Sequence, residues 1–122
     1  CREYGLGLIP WSPLAGGLLA GGGDASTGRR QSAEMQKVVA ERKEQLSQFD
    51  RLCRELGESP SAIALSWLLH QPGVAATIIG PASVEQLQSV LQVPDIRLEP
   101  PTLEQLDEIF PPCGESPEAY AW

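Results

Sequence analysis

The residues best placed for chemistry in this chain are backbone donors at two turns, not acids, bases or nucleophiles. The first turn, Trp11-Ser12-Pro13-Leu14-Ala15-Gly16-Gly17, follows the apolar run 6–10 (LGLIP) and has a hydroxyl, Ser12, at its mouth. The second follows the apolar run 74–79 (VAATII), where Gly80-Pro81 ends the run and Ser83-x-x-Gln86 has the form of a capping box. A helix start presents unpaired N–H groups and the positive end of a dipole, which together suit an anion. Gly80 would let a phosphate come close to the backbone, with Ser83 or Gln86 as side-chain donors. Two adjacent parallel strands whose C-terminal loops both hold phosphate describe the site after the last two strands of a (β/α)8 barrel. The same residues also read as ordinary strand-to-helix turns, and spacing leaves both readings open. Arg29-Arg30 could clamp a phosphate in a bidentate way or simply be solvated.

No catalytic constellation accompanies these turns. His70, before Gln71-Pro72, reads as a helix-terminal residue rather than a base. Tyr4 and Tyr120 sit near the chain ends, Lys37 and Lys43 on a charged helix face, and none has a partner motif. Cys53 and Trp67 fall on apolar stripes and read as core. No metal-ligand spacing occurs.

Several elements must position the two turns. The runs 6–10 and 74–79 lack polar alternation, which predicts strands of a parallel sheet buried on both faces. Residues 20–32 (AGGGDASTGRRQS) are a flexible loop by composition. One helix is predicted from about Ala33 to Leu56, with Gly57 as its left-handed stop. Ser59-Pro60 begins a second helix to His70, apolar on most of its surface. A third runs from Ser83 to about Gln92, and Thr102-x-x-Gln105 caps a fourth to about Phe110. The tail 111–122 has no periodicity. Strands alternating with helices predict an α/β fold of β/α units. Two strands buried on both faces cannot cover themselves, so the chain reads as incomplete.

The 122 residues carry 16 acids against 9 bases, a net charge of −7. Eight of the nine bases precede position 55, and no basic stripe exists, which argues against nucleic acid as a partner. No apolar stretch approaches the roughly 18 residues of a bilayer span, so no membrane role is expected. Three cysteines more than fifty residues apart form neither a disulfide framework nor a metal knuckle, which points to a cytoplasmic compartment.

Gly7 to Leu19 (GLIPWSPLAGGLL), then Ala64-Leu65-Ser66-Trp67-Leu68-Leu69, Thr77-Ile78-Ile79-Gly80-Pro81 and Gln86-Leu87 together resemble the aldo-keto reductase superfamily. The likeness is to the branch of potassium-channel β-subunit-like and general-stress-type reductases. The resemblance implies an NAD(P)H-dependent oxidoreductase on a (β/α)8 TIM barrel that reduces aldehydes or ketones to alcohols. Residues 1–122 would be the C-terminal portion of that domain, an incomplete barrel holding the last two strands with their helices. A chain starting at Cys1, against the roughly 250 residues of such a barrel, fits that expectation.

By likeness, Trp11, Ser12, Pro13, Leu14 and Gly16 line the nicotinamide and pyrophosphate side of the cofactor. Gly80 and Ala82 lie at the adenosine phosphate, Gln86, Ser89 and Val90 at the adenine end, and Arg30 is a phosphate-holding loop arginine. Similar members often carry Arg or Ser at Ala82, an acid at Ser89 and Asn at Val90. The expected cofactor is NADPH, but Ala82 offers no side chain to a 2′-phosphate, which leaves NADH possible. The family's Tyr, Lys, Asp and His tetrad comes from earlier strands and matches nothing here, so no catalytic residue is expected and the chain should be inactive alone. In that mechanism hydride passes from nicotinamide to the carbonyl carbon while the tyrosine protonates the oxygen. The rival reading is a non-catalytic nucleotide-binding or scaffold half-barrel that acts by association, including with its own copies.

Overall fold

The computed structural model describes residues 2–21 and 32–112. Most of the loop expected at 20–32, with Arg29 and Arg30, and the tail with Cys113 and Tyr120 lie outside the described residues, as does Cys1. A 3-10 turn at Arg2–Tyr4 precedes the extended residues 6–10, and a second at Ala15–Gly17 follows them. Five helices then form: α1 (Ala33–Glu41), α2 (Lys43–Leu56), α3 (Pro60–His70), α4 (Val84–Val90) and α5 (Pro100–Ile109).

The helix expected at 33–56 is two. Arg42 leaves helical geometry with φ −104° and ψ 16°, and the stretch 40–45 (AERKEQ) has no large apolar side chain to hold a straight rod against a core. α2 buries Leu46, Phe49, Leu52 and Cys53, one face at helical spacing. It ends in a Schellman motif: Gly57 has φ 72°, its N–H donates to the Arg54 carbonyl, and the Glu58 N–H donates to the Cys53 carbonyl.

α3 opens as its sequence requires. The Ser59 hydroxyl accepts from the Ala62 N–H at 3.2 Å, and Pro60 takes the first helical position. Five consecutive residues, Ala62 to Ser66, are buried, so the helix packs on more than one side. Ile63 and Ala64 join Phe49, Leu52, Cys53, Leu98 and Leu106 in the main core cluster. Ala62 and Leu65 join Val93 in a second. Phe49 meets Phe110 edge-on with ring centroids 5.7 Å apart, and Gln45 Nε2 donates to the Ile109 carbonyl at 2.8 Å, fastening α5 to α2.

α5 corrects its expected cap. The helix begins at Pro100, and Glu99 rather than Thr102 is the N-cap, with no side-chain hydrogen bond. Pro100 and Pro101 have no N–H to satisfy, so the helix starts two residues before the Thr102-x-x-Gln105 box. Leu103, Leu106, Ile109 and Phe110 still face the core as expected. α4 likewise stops at Val90, short of Gln92, and a 3-10 turn at Val93–Asp95 containing Pro94 follows.

The two expected strands pair in parallel but are neither regular nor buried. The Leu8 N–H donates to the Gly73 carbonyl at 2.7 Å and the Ala75 N–H to the Leu8 carbonyl at 2.8 Å, a single parallel bridge between Leu8 and Val74. The next bond runs from the Ile78 N–H to the Pro10 carbonyl at 3.0 Å, one residue beyond the in-phase partner Thr77. Pro10 has no N–H, so the ladder cannot continue through it. Leu6, Leu8, Ile9, Ile78 and Ile79 are all exposed, which overturns the expectation of strands covered on both faces. The helices pack on one another and on Leu98 and Val93, leaving these segments at the surface.

Candidate functional site

The two turns leave the same end of the paired segments. The last backbone bond joins Ile78 to Pro10, and Trp11-Ser12 and Ile79-Gly80 follow directly on the two sides.

The first turn is wound against the preference of its residues. Ser12 and Ala15 have φ 53° and 50°, and Gly16 and Gly17 have φ 67° and 99°. A left-handed conformation costs a non-glycine residue roughly 1–2 kcal/mol, and such strain persists only where surroundings over-determine it. Hydrogen bonds supply part of that constraint: the Ser12 carbonyl accepts from Ala15, the Leu14 carbonyl from Gly17 and Leu19, and the Ser12 hydroxyl from the Gly16 N–H at 3.3 Å. Leu14 and Leu19 pack against the main core and Leu18 is buried, so the turn is rooted from below. Trp11 stands out at 69% exposure and Pro13 is half-buried.

At the second turn Gly80 is open: a Cβ built on it would meet nothing within 4 Å. Ser83 caps α4 by accepting from the Gln86 N–H at 3.3 Å, and Gln86 Oε1 accepts from the Ala82 N–H at 2.8 Å. The side chain of Gln86 thus reaches one residue further back than in a regular capping box. Glu85, which the sequence did not single out, has its carboxyl held below the ordinary range by its own backbone N–H and by the Ser83 hydroxyl. Ser89 donates to the Gln86 carbonyl at 2.8 Å. Val90 is half-buried and packs on the second core cluster. Of the sequence-derived set, Trp11 follows directly, and Gly80 after one residue, on the bonded pair Pro10 and Ile78. Leu14 packs on the main core, Ala82, Gln86 and Ser89 are exposed at the start and on the face of α4, and Val90 turns inward; Arg30 lies outside the described residues.

His70 is committed elsewhere. Its Nδ1 is 2.8 Å from the Ser66 carbonyl, and its Nε2 accepts from the Leu98 N–H at 3.4 Å, which ties the end of α3 to the 96–98 segment. Cys53 is a buried thiol, pushed up to about 12 by burial first and by the charge of Asp50 second. Among the described residues no cluster of His, Cys, Asp and Glu could hold a metal ion, and no helix is long and apolar enough to cross a membrane.

Two concavities lie away from the turns. One of about 670 Å³ follows the α1–α2 bend past Glu41, Lys43, Ser47 and Arg51. The other, about 380 Å³, lies between Leu56, Glu58, Ile63, Gln92, Asp95 and Arg97. Neither has a buried polar group aimed into it, whereas the turns hold strained backbone and an open glycine, so the turns are the stronger candidate.

The sequence model of the Aldo/keto reductase family matches residues 1–110. An uncharacterized oxidoreductase, YrpG, of Bacillus subtilis is 45% identical over 122 residues, which is 99% of this chain and 37% of the relative. The aldo-keto reductase AMT2 of Alternaria alternata is 33% identical over 95% of this chain and 33% of its own length. A protein of Arabidopsis thaliana named "Probable voltage-gated potassium channel subunit beta" is 28% identical over 97% of this chain and 39% of its own. The chain therefore spans about a third to two-fifths of the length of these curated relatives. It belongs to the aldo/keto reductase family, and that family implies a (β/α)8 barrel.

Proposed function

We propose that this member of the aldo/keto reductase family supplies the last two strand–helix units of a (β/α)8 barrel and one wall of its cofactor seat. The observation that carries the reading is the pairing of Ile78 with Pro10, which delivers Trp11-Ser12 and Ile79-Gly80 to one edge. That edge is the carboxyl end of both segments, where barrels of this kind place their chemistry.

The residues fit a dinucleotide in outline. Gly80 leaves room for a phosphate against the backbone, and the rooted, strained turn at Ser12–Gly17 presents a fixed surface for the nicotinamide and pyrophosphate side. Ala82 gives a 2′-phosphate no side-chain donor, and Arg97 is the only base after Arg54, so NADH fits this wall as well as NADPH does. The bound nicotinamide would supply a hydride to the carbonyl carbon of an aldehyde or ketone. This chain's part is to bind and orient; with no counterpart of the family's tetrad in its sequence, the isolated chain is expected to be inactive. A cytoplasmic setting suits the buried, unpaired Cys53.

With a panel of aldehydes and NADPH or NADH, the chain is expected to oxidise no cofactor above buffer. It is also expected to show a saturable change in tryptophan emission that Trp11→Phe abolishes. Aldehyde-dependent oxidation would overturn the inactivity, and a flat emission titration would overturn the seat.

The exposure of Leu6, Leu8, Ile9, Ile78 and Ile79 favours one second reading, a half-barrel that works by association. Sedimentation at rising concentration tests it: a dimer supports it and a monomer throughout rejects it.

A further inference from the structure

α1 has no buried residue, yet it is capped, with the Ser32 hydroxyl accepting from the Met35 N–H at 3.2 Å. Besides meeting α2, it touches the first turn: a Cβ built on Gly16 would lie 3.1 Å from the terminal methyl of Met35. The side chain of Met35, the chain's single methionine, therefore rests directly on the bare backbone of Gly16. Leu14, Leu18 and Leu19 root the turn from the core side. Met35 reaches it from α1, a separate element that adds nothing buried of its own. A left-handed run through Ser12, Ala15, Gly16 and Gly17 needs such constraint to persist. A flexible thioether can follow the irregular surface of such a turn.

We propose that Met35 is a positioning residue for the cofactor seat: by capping Gly16 it holds the Ser12–Gly17 turn in its strained form. This rests on the reading of that turn as the seat, and it assigns to α1 the role of bracing it. At Gly16 a side chain is disfavoured by the φ of 67° and would also crowd the Met35 methyl, 3.1 Å from the place of its Cβ.

The test is amide hydrogen exchange at Gly16, Gly17 and Leu18, whose N–H groups are bonded to Ser12 Oγ and to the Leu14 and Ala15 carbonyls. Met35→Ala should speed exchange at these three amides about fivefold or more, the scale of a local opening made cheaper by a lost contact. Amides of α2 and α3 should be unmoved, Met35→Leu should restore the rates, and the exposed neighbour variant Lys37→Ala should have no effect. Where NADPH binds, its affinity should fall with Met35→Ala and recover with Met35→Leu. Unchanged exchange at the turn, or an increase spread equally through α2 and α3, would overturn the assignment. Faster exchange at the turn with no nucleotide binding even in the unaltered chain would keep the brace and discard the cofactor reading, so the two claims fail separately.

Discussion

Ile63 and Ile9 are the same residue type in one small chain, yet the first is 0% exposed and the second 59%. Ile63 lies on α3, between two clusters that draw on α2, α5 and the 93–98 segment. Ile9 lies on a two-stranded edge held by three backbone hydrogen bonds, with no layer over it. Helices can close a core among themselves because each satisfies its own backbone, whereas a strand pair needs further strands or covering helices before its side chains are buried. The helical part thus carries its own stability, and the paired edge carries the turns that give the chain its candidate function.

The contrast is broken most directly by truncation in each region. Ile63→Ala should cost about 2–5 kcal/mol, the range for emptying a buried aliphatic site, while Ile9→Ala should stay within about 0.5 kcal/mol. Urea unfolding of both variants decides it, and equal costs would mean that the edge is covered in solution. His70→Ala should come next, at about 1–3 kcal/mol, because it leaves the buried Leu98 N–H without its acceptor. Thermal melts against His70→Gln, which keeps a polar group there, measure it.

The Cys53 thiol sharpens the same boundary through pH. Its value rises from an ordinary 9.0 to about 12 in the fold, so between those values the unfolded chain has released a proton that the folded chain keeps. Stability is therefore unaffected below pH 9 and falls above it, by up to about 1.4 kcal/mol per unit. Comparing urea midpoints at pH 8 and pH 10 for the unaltered chain and Cys53→Ala isolates the effect, because every other group is common to both. Smallest in global terms is Gly7→Ala, whose Cβ would lie 2.8 Å from that of Ala75. It should prise the extended segments apart and speed exchange at the Leu8, Ala75 and Ile78 amides, with little change in melting temperature.

What the sequence made legible follows the same division. Ser59-Pro60 and Gly57 mark the start of α3 and the end of α2 because caps are local chemistry, decided within a few residues. The break at Arg42 was hidden because the charged stretch there suits a helix as well as it suits a bend. At α5 the Thr102 box was a genuine signature overruled by two prolines just before it. The runs 6–10 and 74–79 were legible as a parallel pair, but burial depends on partners that periodicity does not show. At the candidate site, the turns and Gly80 could be named from glycine and proline positions. The left-handed Ser12 and Ala15 could not, since neither type favours that conformation, and the contact of Met35 with Gly16 joins positions that no local pattern links.

The paired edge, rather than either concavity, is the proposed part of a dinucleotide seat. An amide-resolved NMR titration of the chain with NADPH, repeated with NADH, tests it most directly. Shifts are expected only at Trp11–Gly17 and Gly80–Val90, with α2 and α5 unchanged. Shifts along Glu41–Arg51 or around Gln92–Leu98, or none at saturating nucleotide, would contradict it.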